Sequence, residues 1–388
     1  MSKHSTKFRT VEFKLYPNQE QADTLSRWLR LCCRTYNAAL EHRIAAYRET
    51  KKSARFYKQC DLLVQSRSQD AELRSVPSVF SRDALRRVER GMESFFRRLK
   101  FGVEKPGFPR FRSQRRYNSM EYCRNGYYVR GQKIRIPKLG LVKARGPFDR
   151  VPKTQKLLRI IRRAHGWYAQ VLVEFVPEQL PKTGETCGLD LGLASFVTLD
   201  TGEAIGNPRV FRKAAKKLRK AQQVLSRRKK GSRRRRKAVK IVARVHERVA
   251  RQRIGFCHRL SRLLVDRFDR IAVENLNIKG LAASWLAKSV SDAAWGIFLN
   301  QLRYKAEYAG RVIVEVDPRG TSQTCPQCAA VARKELSERV HRCLCGCVMG
   351  RDHAAAIVIR SRAFGSGRGE SVRPVADEQA GSLKRIGV

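Results

Sequence analysis

The chain has 388 residues, enough for two or three domains with a sizeable buried core. Its 83 lysines and arginines outnumber its 34 aspartates and glutamates, which gives a formal net charge of +49. A compact fold with that surplus repels itself unless a polyanion neutralises it, so nucleic acid is the expected partner. No apolar run is long enough to span a membrane and no apolar segment follows the basic N-terminus, so we expect a cytoplasmic protein without a membrane partner.

The cysteines are unevenly placed along the chain. Of eleven, five crowd between Cys325 and Cys347. In a chain without an export signal, that clustering indicates metal binding rather than a disulfide framework.

The first part of the chain predicts one strand followed by helices. Residues 8–16 alternate apolar and polar and end at a proline, which predicts a strand. Asn18 and Gln21 form a capping-box pattern at the start of a helix whose apolar stripe reaches Ile44. A shorter helix is predicted near 56–65, and a third from about residue 80 to residue 100.

The residue pattern changes after residue 105, where aromatic residues alternate with arginines. Phe108, Arg110 and Arg112 begin this pattern. Such rings can stack on bases while guanidinium groups bind phosphates, or they can pack inward from a basic β-hairpin; the sequence favours neither. Short apolar segments at 133–136, 157–161 and 167–175 are typical of a small β-barrel, split by the helices from its first strand. A proline-flanked junction at 177–181 predicts a domain boundary.

The second half predicts an apolar strand over 188–200, interrupted by Asp190, and then long basic helices. No acidic residue occurs between Glu203 and Glu247. An intermittent apolar rhythm predicts helices with one apolar side, broken near 231–232. Helices this basic are expected to bind nucleic acid rather than only to form a solvated surface. The candidate contacts are Lys217, Lys220, Arg227, Arg228, Lys229 and Lys230.

Three carboxylates lie at the edges of apolar elements, about eighty residues apart each time. Asp190 interrupts one predicted strand, Glu274 ends another, and Asp352 opens an alanine-rich helix. Each alone has a structural explanation as a turn residue, a strand-end acid or a helix cap. Together, in a chain so poor in acids, they predict a site for Mg²⁺ or Mn²⁺, because phosphodiester hydrolysis needs hard oxygen ligands.

The cysteine cluster has the spacing of a zinc site. Cys325 and Cys328 form one pair, and Cys343, Cys345 and Cys347 follow after a short basic loop. Two cysteine pairs around such a loop predict a zinc ribbon that binds Zn²⁺ through four thiolates. We favour Cys343 and Cys345 as the second pair, with Cys347 as a substitute.

These motifs resemble the TnpB family, transposon-encoded relatives of type V CRISPR effectors. The resemblance covers nearly the whole chain, from the LYPN start onward. The motifs that carry it are GLDLGL at 188–193, VENL at 273–276, TSQTCPQC at 321–328 and RDHAAA at 351–356. The chain departs from the family pattern at Arg342, Gly350 and Ala354, none of which is one of the three carboxylates.

The resemblance implies an α+β multidomain fold. It implies a wedge β-barrel split between residues 1–17 and 105–180, with a helical recognition region inserted at 18–104. A RuvC-like (RNase H-like) α/β nuclease domain would follow at 181–319 and 349–362, interrupted by the zinc ribbon at 320–348, and a disordered tail would occupy 363–388.

The implied function is RNA-guided cutting of double-stranded DNA beside a short motif that the protein itself reads. The guide RNA would come from the transposon end, and Asp190, Glu274 and Asp352 would bind the catalytic metal. Arg351 would contact the scissile strand. The helical region would read the target-adjacent duplex through Tyr57, Ser78 and Arg82, although Arg82 contacting only phosphate is an open alternative.

Three other functions are compatible with parts of the sequence. An RNA-guided DNA-binding protein or repressor would need the same fold without cleavage, and the three retained carboxylates argue against it. A strand-transfer transposase could use the same acids, but the zinc ribbon before Asp352 and the basic helices favour the nuclease. A general RNA-binding zinc protein leaves the placement of the acids unexplained. The number of copies in the assembly is left open.

Overall fold

The computed structural model describes residues 6–365 except 104, 124, 125, 153, 154, 282, 284–286, 336 and 337. The chain forms two compact units, residues 1–176 and 177–388. Most of the predicted disordered tail, from residue 366 onward, lies outside the described residues. None of the described helices has the length and apolar character needed to cross a membrane.

A seven-stranded sheet dominates the first unit. Its strands are β1 Lys7–Tyr16, β2 Ser119–Tyr122, β3 Tyr128–Arg130, β4 Lys133–Ile136, β5 Gly140–Arg145, β6 Gln155–Arg163 and β7 Gly166–Phe175. The order is β2-β6-β7-β1-β5-β4-β3. The N-terminal strand β1 therefore lies inside the sheet, antiparallel to β7 from Lys7 opposite Phe175 to Leu15 opposite Trp167, and antiparallel to β5. Strands from both sides of the helical region build one sheet.

In the described part of the chain, four helices separate β1 from the rest of its sheet. They are α1 Gln19–Thr50, α2 Phe56–Gln69, α3 Ala71–Ser75 and α4 Ser78–Lys100. The predicted capping box is confirmed: the Gln21 amide donates to Asn18 Oδ1 over 2.8 Å, and the Asn18 amide donates to Gln21 Oε1 over 3.2 Å. Apolar residues of α1 and α4, such as Trp28 and Phe80, share one buried core with the sheet.

Buried charges attach α4 to the sheet. Asp83 accepts hydrogen bonds from the Arg87 guanidinium over 2.9 Å and from the Glu121 amide of β2 over 3.1 Å. Glu121 in turn binds Arg159 of β6 over 2.6 Å. Because each buried carboxylate has a charged or amide donor, this network avoids the cost of an unpaired buried charge.

The described residues of the second unit form a five-stranded sheet, a separate strand pair and six helices. Its elements are β8 Thr186–Leu191, β9 Ser195–Leu199, β10 Ala204–Gly206, α5 Val210–Ser226, α6 Arg233–Arg267, β11 Arg270–Glu274, α7 Ile278–Leu281, α8 Ala287–Ala293, α9 Trp295–Ala309, β12 Val312–Val316, β13 Val340–Arg342, β14 Val348–Gly350 and α10 Arg351–Phe364. The large sheet has the order β10-β9-β8-β11-β12, and β13 pairs with β14 separately. Strands β8, β11 and β12 run parallel to one another, and β9 pairs antiparallel with both β8 and β10.

The prediction of one strand over residues 188–200 is wrong. The chain reverses after β8, so that Asp190 pairs with Thr198 of the antiparallel β9. Gly192 lies at this reversal, where its amide donates to the Phe196 carbonyl over 3.3 Å. A continuous apolar run does not distinguish one long buried strand from a buried hairpin.

The predicted break between the basic helices is confirmed. Helix α5 ends at Ser226 and α6 begins at Arg233. Gly231 adopts φ +86° in the turn, and the Ser232 hydroxyl caps α6 by accepting from the Arg235 amide over 3.0 Å. The Arg235 guanidinium also binds the carbonyls of Leu225 and Arg228, which holds the two helices together at the turn.

Candidate active site

Two of the three predicted acids lie on neighbouring parallel strands. Strand β11 pairs with β8 in a register that sets Val273 opposite Leu189. The next residue on each strand is Glu274 and Asp190, so these carboxylates come side by side at the carboxyl edge of the sheet. Glu274 is buried and Asp190 is half-buried.

Helix α10 brings the third acid to the same edge, in its first turn. The helix packs directly on β8, because Gly188 has no side chain: a Cβ there would lie 2.2 Å from the Ala356 carbonyl oxygen. The Oδ2 of Asp352 lies 3.9 Å from the position that a Cβ on Gly192 would take. Gly188 therefore lets the helix pack close to β8, and Asp352 lies within ordinary contact distance of the chain reversal at Gly192.

The three carboxylates interact through their charges. Burial, and then the charges of Glu274 and Asp352, raise the pKa of the Asp190 carboxyl to about 8, while Arg351 lowers it. Burial also raises the pKa of the Glu274 carboxyl. Among the described residues, the groups whose ligand atoms all lie within 4.8 Å of one another contain cysteines, so the oxygens of the three acids are not all within that distance of one another. A divalent cation bound by their oxygens would offset this repulsion.

Three positioning residues were not predicted from the sequence. The Thr321 hydroxyl donates to Glu274 Oε1 over 2.5 Å, and only its place in the TSQTCPQC motif pointed to it. Asp200 accepts from the Gly188 amide over 3.1 Å and binds Arg360 of α10 over 3.2 Å, so it links β8 to the helix. The close approach at Gly188 depends on a helix that is distant in sequence, and no local signal indicates it.

Arg351 holds the cysteine-rich segment against the start of α10. Its guanidinium donates to the carbonyls of Glu335 and Glu338 over 2.7 and 3.3 Å and to the Ser322 hydroxyl over 3.3 Å. Its amide donates to the Arg339 carbonyl over 2.9 Å. A contact between Arg351 and a nucleic-acid strand, as predicted, would have to share these donors.

The cysteines form a compact cluster beside the acids. The Sγ atoms of Cys325, Cys328, Cys343 and Cys345 all lie within 4.8 Å of one another, with 3.6 Å between Cys325 and Cys345 and 3.5 Å between Cys328 and Cys343. Cys347, buried nearby, groups instead with Cys325 and His341. Four converging thiols match the donor set of a structural zinc site.

The surroundings of Cys325, one of these thiols, stabilise its thiolate form. Burial raises the pKa of Cys325, but hydrogen bonds from the backbone amides of Cys328 and Gln327, together with the nearby His341 side chain, lower it to about 5. Backbone amides that point at the sulfur stabilise negative charge there, as metal binding requires.

In the first unit, the predicted nucleic-acid contacts lie on two surfaces. Tyr57 is 80% exposed at the start of α2, Ser78 is exposed at the start of α4, and Arg82 is half-buried one turn later. Residues 107–112 lie along α1 and α4: Asn37 exchanges hydrogen bonds with the Arg112 backbone over 2.8 and 2.9 Å, and Arg98 donates to the Gly107 carbonyl.

Of the two alternatives for the aromatic segment, inward packing is confirmed for two rings, and stacking on bases stays a prediction for two others. Tyr117 and Tyr122 are buried in the core, which is the inward packing. Phe108 and Phe111 are 42% and 57% exposed beside the exposed side chains of Arg110 and Arg112. These four residues line a concavity of about 450 Å³ in which a base could stack.

In the second unit, the predicted contacts of the basic helices are all exposed: Lys217, Lys220, Arg227, Arg228, Lys229 and Lys230. Leu218 packs inward from α5, and Val245 and Val249 pack inward from α6. The structure thus gives these helices one apolar and one cationic side.

Three family models match the chain. One described as "Probable transposase" matches residues 170–284, one described as "Cas12f1-like, TNB domain" matches residues 295–359, and one described as "Helix-turn-helix domain" matches residues 8–52. In this chain, residues 8–52 contain strand β1 and the single helix α1 rather than two helices joined by a turn.

Curated relatives span most of the chain. It is 33% identical over 378 residues to a "Putative RNA-guided DNA endonuclease" of Streptomyces pristinaespiralis, covering 94% of this chain and 92% of the relative. It is 25% identical over 358 residues to the "Putative RNA-guided DNA endonuclease InsQ" of Escherichia coli, covering 87% of each. It is 26% identical over 217 residues to the "CRISPR-associated endodeoxyribonuclease Cas12f1" of Sulfoacidibacillus thermotolerans, half of each chain.

A solved structure shares the fold. The chain aligns to the protein in a cryo-EM structure of a Cas12f1–sgRNA–target DNA complex with a TM-score of 0.56 and 13% identity, covering 88% of this chain and 83% of that one. At that identity the likeness shows the fold alone, an α+β architecture.

Proposed function

The chain belongs to the TnpB family, and we propose that it is an RNA-guided endonuclease that cuts double-stranded DNA by metal-dependent hydrolysis. The observation that supports the proposal is the placement of Asp190, Glu274 and Asp352 on β8, β11 and α10 at one edge of the sheet. Burial of Asp190, and then the charges of Glu274 and Asp352, raise the pKa of its carboxyl to about 8. Such a cluster costs stability in a bare protein, which fits a site built for a cation.

Mg²⁺ or Mn²⁺ fits these residues because all three offer carboxylate oxygens. Bound there, the metal would polarise the phosphodiester and activate water. The surrounding side chains have positioning roles: Thr321 orients Glu274, and Asp200 holds α10 so that Asp352 stays at the strand edge. Glu274 is buried, so its carboxylate is oriented by the fold rather than by solvent.

The fold supports assigning the units to functions. We assign the second unit to a RuvC-like nuclease, because its strand order places the first and fourth strands side by side, with an acid on each. We assign the cysteine segment to a zinc ribbon inserted before the last acid-bearing helix. In the first unit, we assign the sheet to a split wedge barrel and α1–α4 to the recognition region, since β1 joins strands that follow the helices.

Guide RNA and target DNA are the polyanions that fit the net charge of +49. Helices α5 and α6 present cations that could grip an RNA–DNA duplex through its phosphates, while base pairing supplies the sequence specificity. The exposed Phe108 and Phe111 add stacking surfaces among arginines in the first unit.

The test begins with the RNA that copurifies with the protein, sequenced to define the guide. DNA that matches the guide is then offered next to a randomised flank. We expect cutting that needs Mg²⁺ and stops with EDTA. Asp190→Asn, Glu274→Gln and Asp352→Asn should each abolish cutting and leave guided binding intact, because they remove metal-binding charge and little volume.

The matched control is Asp266→Asn, an exposed acid of α6 paired with Arg262, which should cut like the wild type. An acid variant that cuts at the wild-type rate removes its residue from the site. Guided binding by the wild type without cutting at any metal concentration would favour the alternative function, an RNA-guided DNA-binding protein or repressor.

A further inference from the structure

A second polar concavity lies next to the acids in the second unit. It has a volume of about 340 Å³ and is formed by the loop after β8, the start of α5, helix α8 and the cysteine-rich segment. Its lining includes Leu193, Asn207 and the cationic side chains of Arg209, Arg212, Lys288 and Arg339.

Two backbone connections tie this concavity to the acids. Leu193 follows Asp190 by three residues, so at most about 11 Å of extended chain separates them. On the other side, the Arg339 carbonyl accepts from the Arg351 amide, directly before Asp352. The concavity therefore lies within about three nucleotides of the acids, at about 3.4 Å of rise per nucleotide.

Asn207 joins the concavity to the loop after β8. Its Nδ2 donates to the Leu193 carbonyl over 3.2 Å, and its Oδ1 accepts from the Arg209 amide over 3.0 Å. Arg209 has φ +45°, a left-handed backbone that non-glycine residues rarely adopt. Strain of this kind persists where the surroundings hold it, and it concentrates at binding and catalytic sites.

The concavity carries a surplus of positive charge. Its one acid, Asp292, accepts from the amides of Phe211 and Arg212 over 2.8 and 3.2 Å and from the Arg253 guanidinium over 2.8 Å. The carboxylate of Asp292 therefore caps α5 and pairs with Arg253. The other four charged side chains of the concavity, Arg209, Arg212, Lys288 and Arg339, form no ion pair within the part of the chain that the structure describes.

We propose that this concavity binds a phosphodiester of the DNA strand that enters the acid site, and that Arg209 and Lys288 position that strand. The proposal rests on the proposed nuclease function. Guanidinium and ammonium groups around a hollow match a phosphate, and the four cationic side chains outnumber the single carboxylate in its lining. The strand to be cut is the one nucleic acid that must pass beside the carboxylates.

The test uses the full chain loaded with its guide RNA. In a single-turnover cleavage assay, each phosphate near the cut is replaced in turn by a neutral methylphosphonate. For the wild type we expect one position beside the cut at which the replacement slows cutting by about tenfold, the effect of losing a hydrogen bond to a charged group. In Arg209→Ala/Lys288→Ala, which is already slow, that replacement should cause no further loss.

A second measurement needs no cutting. In EDTA, the affinity for a short single-stranded oligodeoxynucleotide is measured against salt concentration. The slope of log K against log salt is negative, and each lost phosphate contact reduces its magnitude by about 0.7. The slope of the double variant should therefore be smaller in magnitude by about 1.4. Lys288→Ala alone should lose about 0.7 and covers the case in which the Arg209 change prevents folding.

The matched control is Lys182→Ala/Arg262→Ala, which removes the same two charges from exposed positions of the same unit. The proposal is overturned if the variant keeps the wild-type methylphosphonate profile, or if it loses affinity for the guide RNA instead. If the wild type cuts no DNA, the proposed nuclease function is wrong, and only the salt dependence of oligonucleotide binding tests the phosphate site. In that case, a salt slope of the Arg209→Ala/Lys288→Ala variant equal to that of the control refutes the phosphate site.

Discussion

The Thr321 hydroxyl donates a hydrogen bond of 2.5 Å to the Oε1 of buried Glu274. Glu274 ends strand β11, whereas Thr321 lies four residues before Cys325 in the cysteine-rich segment. One bond therefore connects the cysteine cluster to the acid site. It also lowers the pKa of Glu274 against the raising effect of burial.

Thr321→Val should slow DNA cutting by about tenfold or more, because a hydrogen bond to a charged group contributes about 1.5–3 kcal/mol. The valine keeps the volume and removes the donor. Thr321→Ser keeps the donor and should restore most of the rate. The measurement is single-turnover cutting at saturating Mg²⁺, and equal rates for the valine and serine variants would exclude a role for the hydroxyl.

Gly188→Ala should abolish cutting and destabilise the second unit. The added Cβ would lie 2.2 Å from the Ala356 carbonyl, so α10 must move away from β8 and carry Asp352 with it. Overpacking of this kind costs about 1–3 kcal/mol. Thermal unfolding and cutting are measured together.

The control for that change is Gly206→Ala in β10, where an added Cβ meets nothing within 4 Å. It should leave both the melting temperature and cutting unchanged. A Gly188→Ala variant that melts and cuts like the Gly206→Ala variant would show that close packing at Gly188 is not needed.

The cysteine cluster should hold one Zn²⁺ per chain through Cys325, Cys328, Cys343 and Cys345. Metal analysis should show the zinc gone in Cys325→Ser/Cys328→Ser and in Cys345→Ser, since these thiols converge within 4.8 Å. Cys347→Ser should keep its zinc and serves as the matched variant. The reverse result for Cys345 and Cys347 would assign the fourth ligand to Cys347.

Arg82→Ala should change the preferred base at one position of the target-adjacent motif. An arginine that contacts a guanine edge through two hydrogen bonds discriminates by about 1–3 kcal/mol. The measurement is cutting of a library with randomised flanks. Arg97→Ala, an exposed arginine near the end of the same helix, is the control. A uniform loss of cutting across all flanks would instead make Arg82 a phosphate contact.

Local features of this protein follow from its sequence. The alternation that ends at Pro17, the capping box of Asn18 and Gln21, and the break at Gly231 all depend on neighbouring residues, and the structure contains each of them. The cysteine spacing likewise indicated a cluster of thiols, while the tertiary structure places Cys343 and Cys345, rather than Cys347, with Cys325 and Cys328. Backbone preference, capping and short-range ligand spacing act over a few residues, so they can be read along the chain.

The relationships that build the site are decided by tertiary structure. The sequence suggested one strand where β8 and β9 form two, because buried apolar runs look alike whether or not the chain turns back. The contacts of Thr321 with Glu274 and of Gly188 with Ala356 join residues 47 and 168 positions apart in the numbering. Such contacts depend on which strands pair and which helix covers them, and that choice is made by burial of the whole core rather than by any local segment.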